Sequence, residues 1–215
     1  MSRCRTLAVL AALTLAPLGA ARAQAWFYPS FQVPSTTERE YNFGAAAASG
    51  AAFVFQWREG FAPGSQLSLD AGLADPSGPS NTLLVVAGNY ARELSRATAT
   101  QPLDLLLTAG LGLAAGDGPA LVRIPLGVSV GHTFPLEGGM SITPYVHPRV
   151  SLDVWTRERG GDRSYLSLDF DVGANFALTP ETSLRGSFIF SGNSAASGSG
   201  FGISLAITPP GLRKR

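Results

Sequence analysis

The chain of 215 residues contains one cysteine, Cys4, and one lysine, Lys214. A single cysteine forms no intramolecular disulfide, which excludes disulfide scaffolds and cysteine-rich metal sites. After the first 23 residues there is no run of 18 or more apolar residues, so the sequence predicts no transmembrane helix. If the protein lies in a membrane, it must cross it with strands.

The first 23 residues are typical of a cleaved signal peptide. A basic start precedes an apolar core at residues 7–18, and Ala-Arg-Ala at 21–23 is a small-x-small cleavage site. Cleavage would remove Cys4 and three of the 16 basic residues, leaving 13 against 15 acidic ones. The mature chain is therefore expected to be exported, with a net charge of −2 and no nucleic-acid partner.

Nearly every segment after Glu40 alternates apolar and polar residues with a period of two, which is the pattern of β-strands. In residues 163–178 one face carries large apolar side chains, and the other carries mostly Ser, Asp, Gly and Asn. The alternating runs also exceed the usual strand length of soluble sheets and cover the roughly 9 to 11 residues that a tilted membrane strand needs. The sequence therefore predicts an all-β fold, an antiparallel up-and-down transmembrane β-barrel.

Aromatic residues near the predicted strand ends support a membrane location, because interfacial girdles occur there. They are Trp57, Tyr90, Phe134, Trp155, Tyr165 and Phe188. The alternative is a soluble periplasmic β-sandwich or lipocalin-like binding protein, whose strands also alternate but turn their apolar face inward.

Eight strands are clear, at residues 65–75, 82–94, 102–114, 120–134, 140–156, 164–178, 182–191 and 200–208. Residues 40–59 form either one long strand or a hairpin whose three-residue loop, 48–50, pairs Ala47 with Ala51. Because bacterial barrels have an even number of strands, ten are predicted, with eight as the alternative. The turns 135–139 and 179–182 then lie on the periplasmic side with both termini, and PSGPSN, RERGGDR and GNSAASGSG face outside.

The chain divides into four parts: a signal peptide at 1–23, an N-terminal leader at 24–38, the β-barrel domain at 39–208 and a basic tail at 209–215. The leader contains WFYPSFQVP and shows no strand periodicity. Three interpretations remain open for it: an aromatic plug of the barrel, a periplasmic anchor, or a disordered segment.

The signal peptide, the alternating strands and the closing GFGISLAITPPGLRKR make the chain resemble small bacterial outer-membrane β-barrel proteins of the outer-membrane protein A-like class. The resemblance covers about residues 39–208. It implies a place in the cell outer membrane, contact with outer-membrane lipid and insertion by the barrel-assembly machinery. It also implies a structural or narrow passive-channel role, with a small solute as a further partner.

By the same alternation, charged and polar side chains of both signs face the predicted lumen. The candidates are Asp70, Asp104, Arg123, Tyr145, His147, Arg149, Asp153, Asp169, Asp171 and Arg185. A narrow barrel must pair the charges that it encloses, so they predict an internal network of ion pairs. A hairpin centred near Gly160 would place Arg149 opposite Asp171, a favourable cross-strand pair.

His147 is the candidate general base of a third interpretation, a lumenal lipid-modifying hydrolase. In the predicted register it faces Gly173, and no Ser-His-Asp spacing is evident, so a structural histidine and a non-enzymatic protein are favoured. His132 has the opposite parity, which makes the two histidines a poor metal site. No cofactor is expected.

The run MSITPYVHPRVSLDVW, residues 140–155, contains two prolines on its apolar face. Pro144 and Pro148 have the same parity, so their missing N–H groups fall toward the same neighbouring strand. We expect a bulge or weakened pairing there.

Overall fold

The computed structural model describes residues 29–48, 50–76, 82–116, 120–156, 162–192 and 198–210. Its strands are β1 (Arg39–Ala47), β2 (Gly50–Ala62), β3 (Ser65–Pro76), β4 (Leu83–Ser95), β5 (Asp104–Ala115), β6 (Leu121–Gly131), β7 (Phe134–Pro135), β8 (Ser141–Trp155), β9 (Arg163–Ala177), β10 (Thr182–Gly192) and β11 (Gly198–Ile207). A 3₁₀ turn spans Glu137–Gly139. Among the described residues no helix is long and apolar enough to span a membrane.

Ten of these strands form one closed antiparallel barrel, because each long strand pairs with two neighbours. The barrel closes where β1 pairs with β11, from Tyr41↔Ile207 to Ala47↔Phe201, and β6 pairs with β8 past the two-residue β7. The prediction of ten strands is confirmed and the eight-strand alternative is wrong. Residues 40–59 do form a hairpin, with Ala47 opposite Ala51 as predicted.

The apolar face of every long strand points outward and the polar face points inward. Phe53 and Leu166 on the outer face are 67% and 70% exposed, whereas Gln56 and Ser167 on the inner face are buried. A lipocalin-like binder would show the opposite arrangement, with apolar side chains inside. The soluble lipocalin-like alternative is therefore wrong, and the exposed apolar outer face is the one that membrane barrels have.

The two ends of the barrel differ in their connections. We call the end where β1 begins and β11 ends the proximal end, and the opposite one the distal end. The turns at 135–139 and 179–182 lie at the proximal end, as predicted. The central residues of the three loops predicted to face outside, 77–81, 157–161 and 193–197, lie outside the described residues.

The register between β8 and β9 differs from the predicted one by two residues. Arg149 faces Asp169, and His147, predicted opposite Gly173, faces Asp171. The hairpin is centred one residue earlier than assumed, and the loop composition alone did not determine its length. The correction places a carboxylate directly across from His147.

The prolines of β8 weaken one side of the strand and leave the other intact. Pairing with β9 is continuous from Ser141↔Ala177 to Trp155↔Arg163. Pairing with β6 is interrupted between Gly127↔Arg149 and Val130↔Val146, although the register is the same on both sides of the gap. Weakened pairing is thus confirmed at Pro148, without a bulge.

Candidate functional site: a filled lumen

The structure places nine of the ten predicted lumen residues well inside the barrel. Asp70, Tyr145, His147, Asp153, Asp169, Asp171 and Arg185 are buried, and the side chains of Arg123 and Arg149 are nearly so. Asp104 lies at the proximal end, partly buried, and accepts a hydrogen bond from the Ala97 N–H at 2.9 Å. The inward residues form three charged clusters at different depths.

The proximal cluster is centred on Glu40, which is completely buried. Its carboxylate accepts hydrogen bonds from Arg58 at 2.9 Å and from two nitrogens of Arg185 at 2.7 Å each. Arg185 also donates to Asn175 at 2.9 Å. One carboxylate thus bridges two buried guanidinium groups, which is how a low-dielectric interior tolerates such charges. Glu40 was missed at the sequence level, although its parity with Asn42 places it inside.

The distal cluster joins Arg123 to two carboxylates. Arg123 forms a bidentate pair with Asp153, with both distances 2.7 Å, and its third nitrogen lies 3.2 Å from Asp169. Three serine hydroxyls also donate to Asp169, from Ser151, Ser167 and Ser191. Every one of these contacts is between inward-facing residues of β6, β8, β9 and β10.

The middle cluster connects the barrel wall to the leader. Asp171 accepts hydrogen bonds from Arg149 at 2.8 Å and from both the N–H and the hydroxyl of Ser30, at 2.8 and 2.6 Å. The Ser30 hydroxyl also lies 2.7 Å from Nδ1 of His147, whose Nε2 lies 2.8 Å from the Thr108 hydroxyl. Because an ionised carboxylate can only accept, Ser30 donates to Asp171 and His147 Nδ1–H donates to Ser30. In the neutral imidazole Nε2 is then an acceptor, to which Thr108 donates.

This order of groups differs from that of a hydrolytic triad. In a triad the imidazole lies between the serine and the carboxylate and removes the serine proton. Here Ser30 lies between the other two, its proton is directed to Asp171, and His147 Nδ1 is 3.9 Å from that carboxylate. The geometry favours an attachment point for the leader over a serine nucleophile.

The leader enters the lumen from the proximal end and fills its proximal half. Phe31 is fully buried, Val33 is 5% exposed, and Gln32, Thr36 and Thr37 are also buried. Of the three interpretations of the leader, residues 29–38 therefore adopt the plug; residues 24–28 lie outside the described residues. Ser30 was missed because a serine in a segment without periodicity carries no signal at the sequence level.

A cavity of about 110 Å³ remains between the leader and the distal half of the barrel. Ser30 and Gln32 form one boundary, and its polar lining includes Thr108, Arg123 and His147. Toward the distal end, small apolar side chains pack together across the lumen: Ala52, Ala74, Val85, Ala114, Leu121 and Ile189. Trp155 packs against this cluster, so its predicted place in an outer aromatic girdle is wrong.

Metal binding finds no support in the described part of the chain, where no three His, Cys, Asp or Glu side chains are grouped as ligands. His132 instead packs edge-on against Phe134, with ring centroids 4.6 Å apart. His147 has both ring nitrogens engaged by hydroxyl groups.

A closed antiparallel barrel with an apolar exterior and a polar, charge-paired interior is the arrangement of membrane barrels. The chain has the fold of a small outer-membrane β-barrel. No protein-family model and no curated protein matches it.

The solved structures that are similar to this chain include two bacterial barrels. The β domain of the Bordetella autotransporter BrkA is 13% identical with a TM-score of 0.47, and the KdgM porin is 8% identical with a TM-score of 0.37. In both comparisons 79% of this chain and 98% of the other are covered. At these identities the likeness concerns the fold alone.

Proposed function

We propose that the protein is a structural barrel of the cell outer membrane whose lumen is closed by its own leader. The observation that carries this proposal is the position of residues 29–37 inside the barrel, attached to Asp171 through Ser30. A passive channel needs a continuous path of water, and the leader occupies that path in its proximal half.

The charged clusters support a closed resting state. Glu40, Arg58 and Arg185 bridge the proximal lumen, and Arg123, Asp153 and Asp169 bridge the distal part. Opening a pore would separate charges that are now paired and buried, at a cost of several kcal/mol for each broken pair. Beyond them the apolar cluster around Val85 and Leu121 forms a second, water-repelling barrier.

The exposed outer face supports the membrane location. Its Phe and Leu side chains would contact outer-membrane lipid, and the barrel-assembly machinery would insert the exported chain after cleavage of its signal peptide. A protein in this location remains in the outer-membrane fraction and migrates differently on gels before and after heating. Release by osmotic shock would contradict the location.

Single-channel recording tests the closed lumen. The folded protein, reconstituted into a planar lipid bilayer, is expected to give no conductance steps above the background of the bilayer. The Phe53→Ala variant, which alters the outer face alone, should behave in the same way. Stable and reproducible steps from the unmodified protein would show an open channel and contradict the proposal.

A further inference from the structure

We propose that the lumen is a binding site for a peptide segment with the sequence Pro-Ser-Phe-Gln-Val-Pro, and that the chain fills this site with its own leader. The inference rests on the proposed closure of the lumen and deepens it, since it names the ligand class that the interior recognises. A peptide of the same sequence, supplied separately, would then occupy the same place.

The first support is that wall side chains satisfy the backbone of the leader at its deepest point. The Ser30 carbonyl accepts from Gln56 at 3.3 Å and Arg58 at 3.0 Å, while its N–H donates to Asp171. The Gln32 carbonyl accepts from Ser129 at 2.7 Å. These four side chains come from β2, β6 and β9, so the main chain of the leader is bound from several sides of the lumen.

The same pattern continues toward the proximal end. The N–H and hydroxyl of Thr36 donate to Glu93 at 3.1 and 2.6 Å, and the N–H of Thr37 donates to Gln66 at 2.9 Å. Gln66 and Thr37 are buried, so the bond between them is shielded from water. The attachment therefore extends over eight residues of the leader, from Ser30 to Thr37.

The second support is the shape of the wall, which has glycines where the leader has large side chains. A Cβ atom at Gly44 would lie 2.9 Å from the Phe31 ring, and one at Gly202 would lie 2.7 Å from it. At Gly131 a Cβ would lie 3.0 Å from Pro34. Any larger residue at Gly44 or Gly202 would displace Phe31, so the wall is complementary in shape to this aromatic side chain.

The third support is the backbone conformation of Phe31. Its φ of +50° lies in the left-handed region, which bulky residues rarely adopt. Within residues 29–38, the Gln32 N–H donates to the Ser30 hydroxyl at 3.3 Å, and the Gln32 side-chain amide donates to the Val33 carbonyl at 2.9 Å. The wall thus imposes the conformation of the leader. A separate peptide bound inside the lumen would form the same hydrogen bonds with the wall as the leader does, although it has no covalent link to β1.

The test uses a fluorescent peptide, Pro-Ser-Phe-Gln-Val-Pro-Ser-Thr-Thr, and the folded full chain in detergent. In the unmodified protein the tethered leader is present at an effective concentration of order millimolar, so little peptide should bind. In the double variant Ser30→Ala, Phe31→Ala the leader is weakened, and binding measured by anisotropy should rise at least tenfold. A peptide of scrambled order should not bind.

Two variants of the wall and the outer face serve as controls. Adding Gly202→Val to the double variant should abolish peptide binding, because the position of the Phe ring is filled. The matched control adds Gly186→Val, in the neighbouring strand β10, to the same double variant. A Cβ there would lie 3.9 Å from the nearest atom, on the Phe201 ring, so peptide binding should be unchanged.

Two further readouts make every outcome decisive. Heat-dependent gel mobility shows whether the double variant is folded, and faster hydrogen exchange of residues 29–37 shows that its leader has left the lumen. Peptide binding to the folded, vacated barrel supports the inference. A folded, vacated barrel that does not bind peptide overturns it, as does a leader that stays protected or a variant that cannot fold. In each of these cases the proposed closure of the lumen is tested separately, because it is supported as long as the unmodified protein does not conduct.

Discussion

At the scale of single residues, Glu40 has the largest structural role in the proximal lumen, because it pairs with both Arg58 and Arg185. All three side chains are at most 2% exposed, so neither arginine can turn to water if the carboxylate is removed. Breaking a buried pair from one side is strongly destabilising, since it leaves uncompensated charge.

The Glu40→Ala variant is therefore expected to lose about 3 to 5 kcal/mol of unfolding free energy. The measurement is urea unfolding of the folded barrel in lipid vesicles. Glu59→Ala is the matched control, because Glu59 forms an ion pair with Arg39 on the surface of the same two strands, where such pairs contribute little. Equal losses in the two variants would contradict the assigned role of Glu40.

Which single residues face the lumen could be predicted from the alternation alone, because a strand leaves each side chain only two directions. The contacts of Asp171 could be predicted only in part. The predicted partner Arg149 does bind Asp171, but diagonally, because the register of the hairpin differs from the assumed one by two residues. The contact of Ser30 with Asp171 could not be predicted at all, since the leader has no periodicity that indicates where its side chains point.

At the scale of elements, the long strands could be predicted from the sequence, and so could the weakened pairing of β8. The shared parity of Pro144 and Pro148 predicts that both lack an N–H toward the same neighbour, and the pairing of β8 is interrupted on the β6 side. The path of residues 29–38 through the lumen was harder to predict, because it depends on hydrogen bonds with seven separate strands. From the sequence, a plug was only one of three interpretations of the leader.

Replacing Pro148 by valine restores the missing donor on β8. We expect the amides of Val128 to Val130 in β6 to exchange about fivefold more slowly, since one backbone hydrogen bond contributes about 1 kcal/mol. Amide hydrogen exchange followed by NMR in detergent micelles measures this. Pro102→Val, in the connection before β5, should leave these amides unchanged. If Pro148→Val also leaves them unchanged, the proline is not the cause of the interruption.

At the scale of the whole molecule, the barrel is inverted relative to a soluble protein and filled by part of its own chain. Lipid would replace the aqueous surroundings outside, so the strands can carry apolar side chains there. Inside, the ion pairs, the leader and the distal apolar cluster together occupy the space that a porin keeps for water. The central claim that unites these features is that residues 29–37 lie within the folded barrel.

Thiol accessibility tests that claim most directly. The predicted mature chain contains no cysteine, so all labelling comes from the one cysteine that is introduced. Val33→Cys places a thiol at a position that is 5% exposed, in the middle of the docked leader. In the folded, membrane-embedded protein this thiol is predicted to react with a bulky maleimide at least a hundredfold more slowly than in urea, since the reagent reaches it only when the leader leaves the lumen. Labelling at equal rates in the folded and unfolded protein would contradict the account.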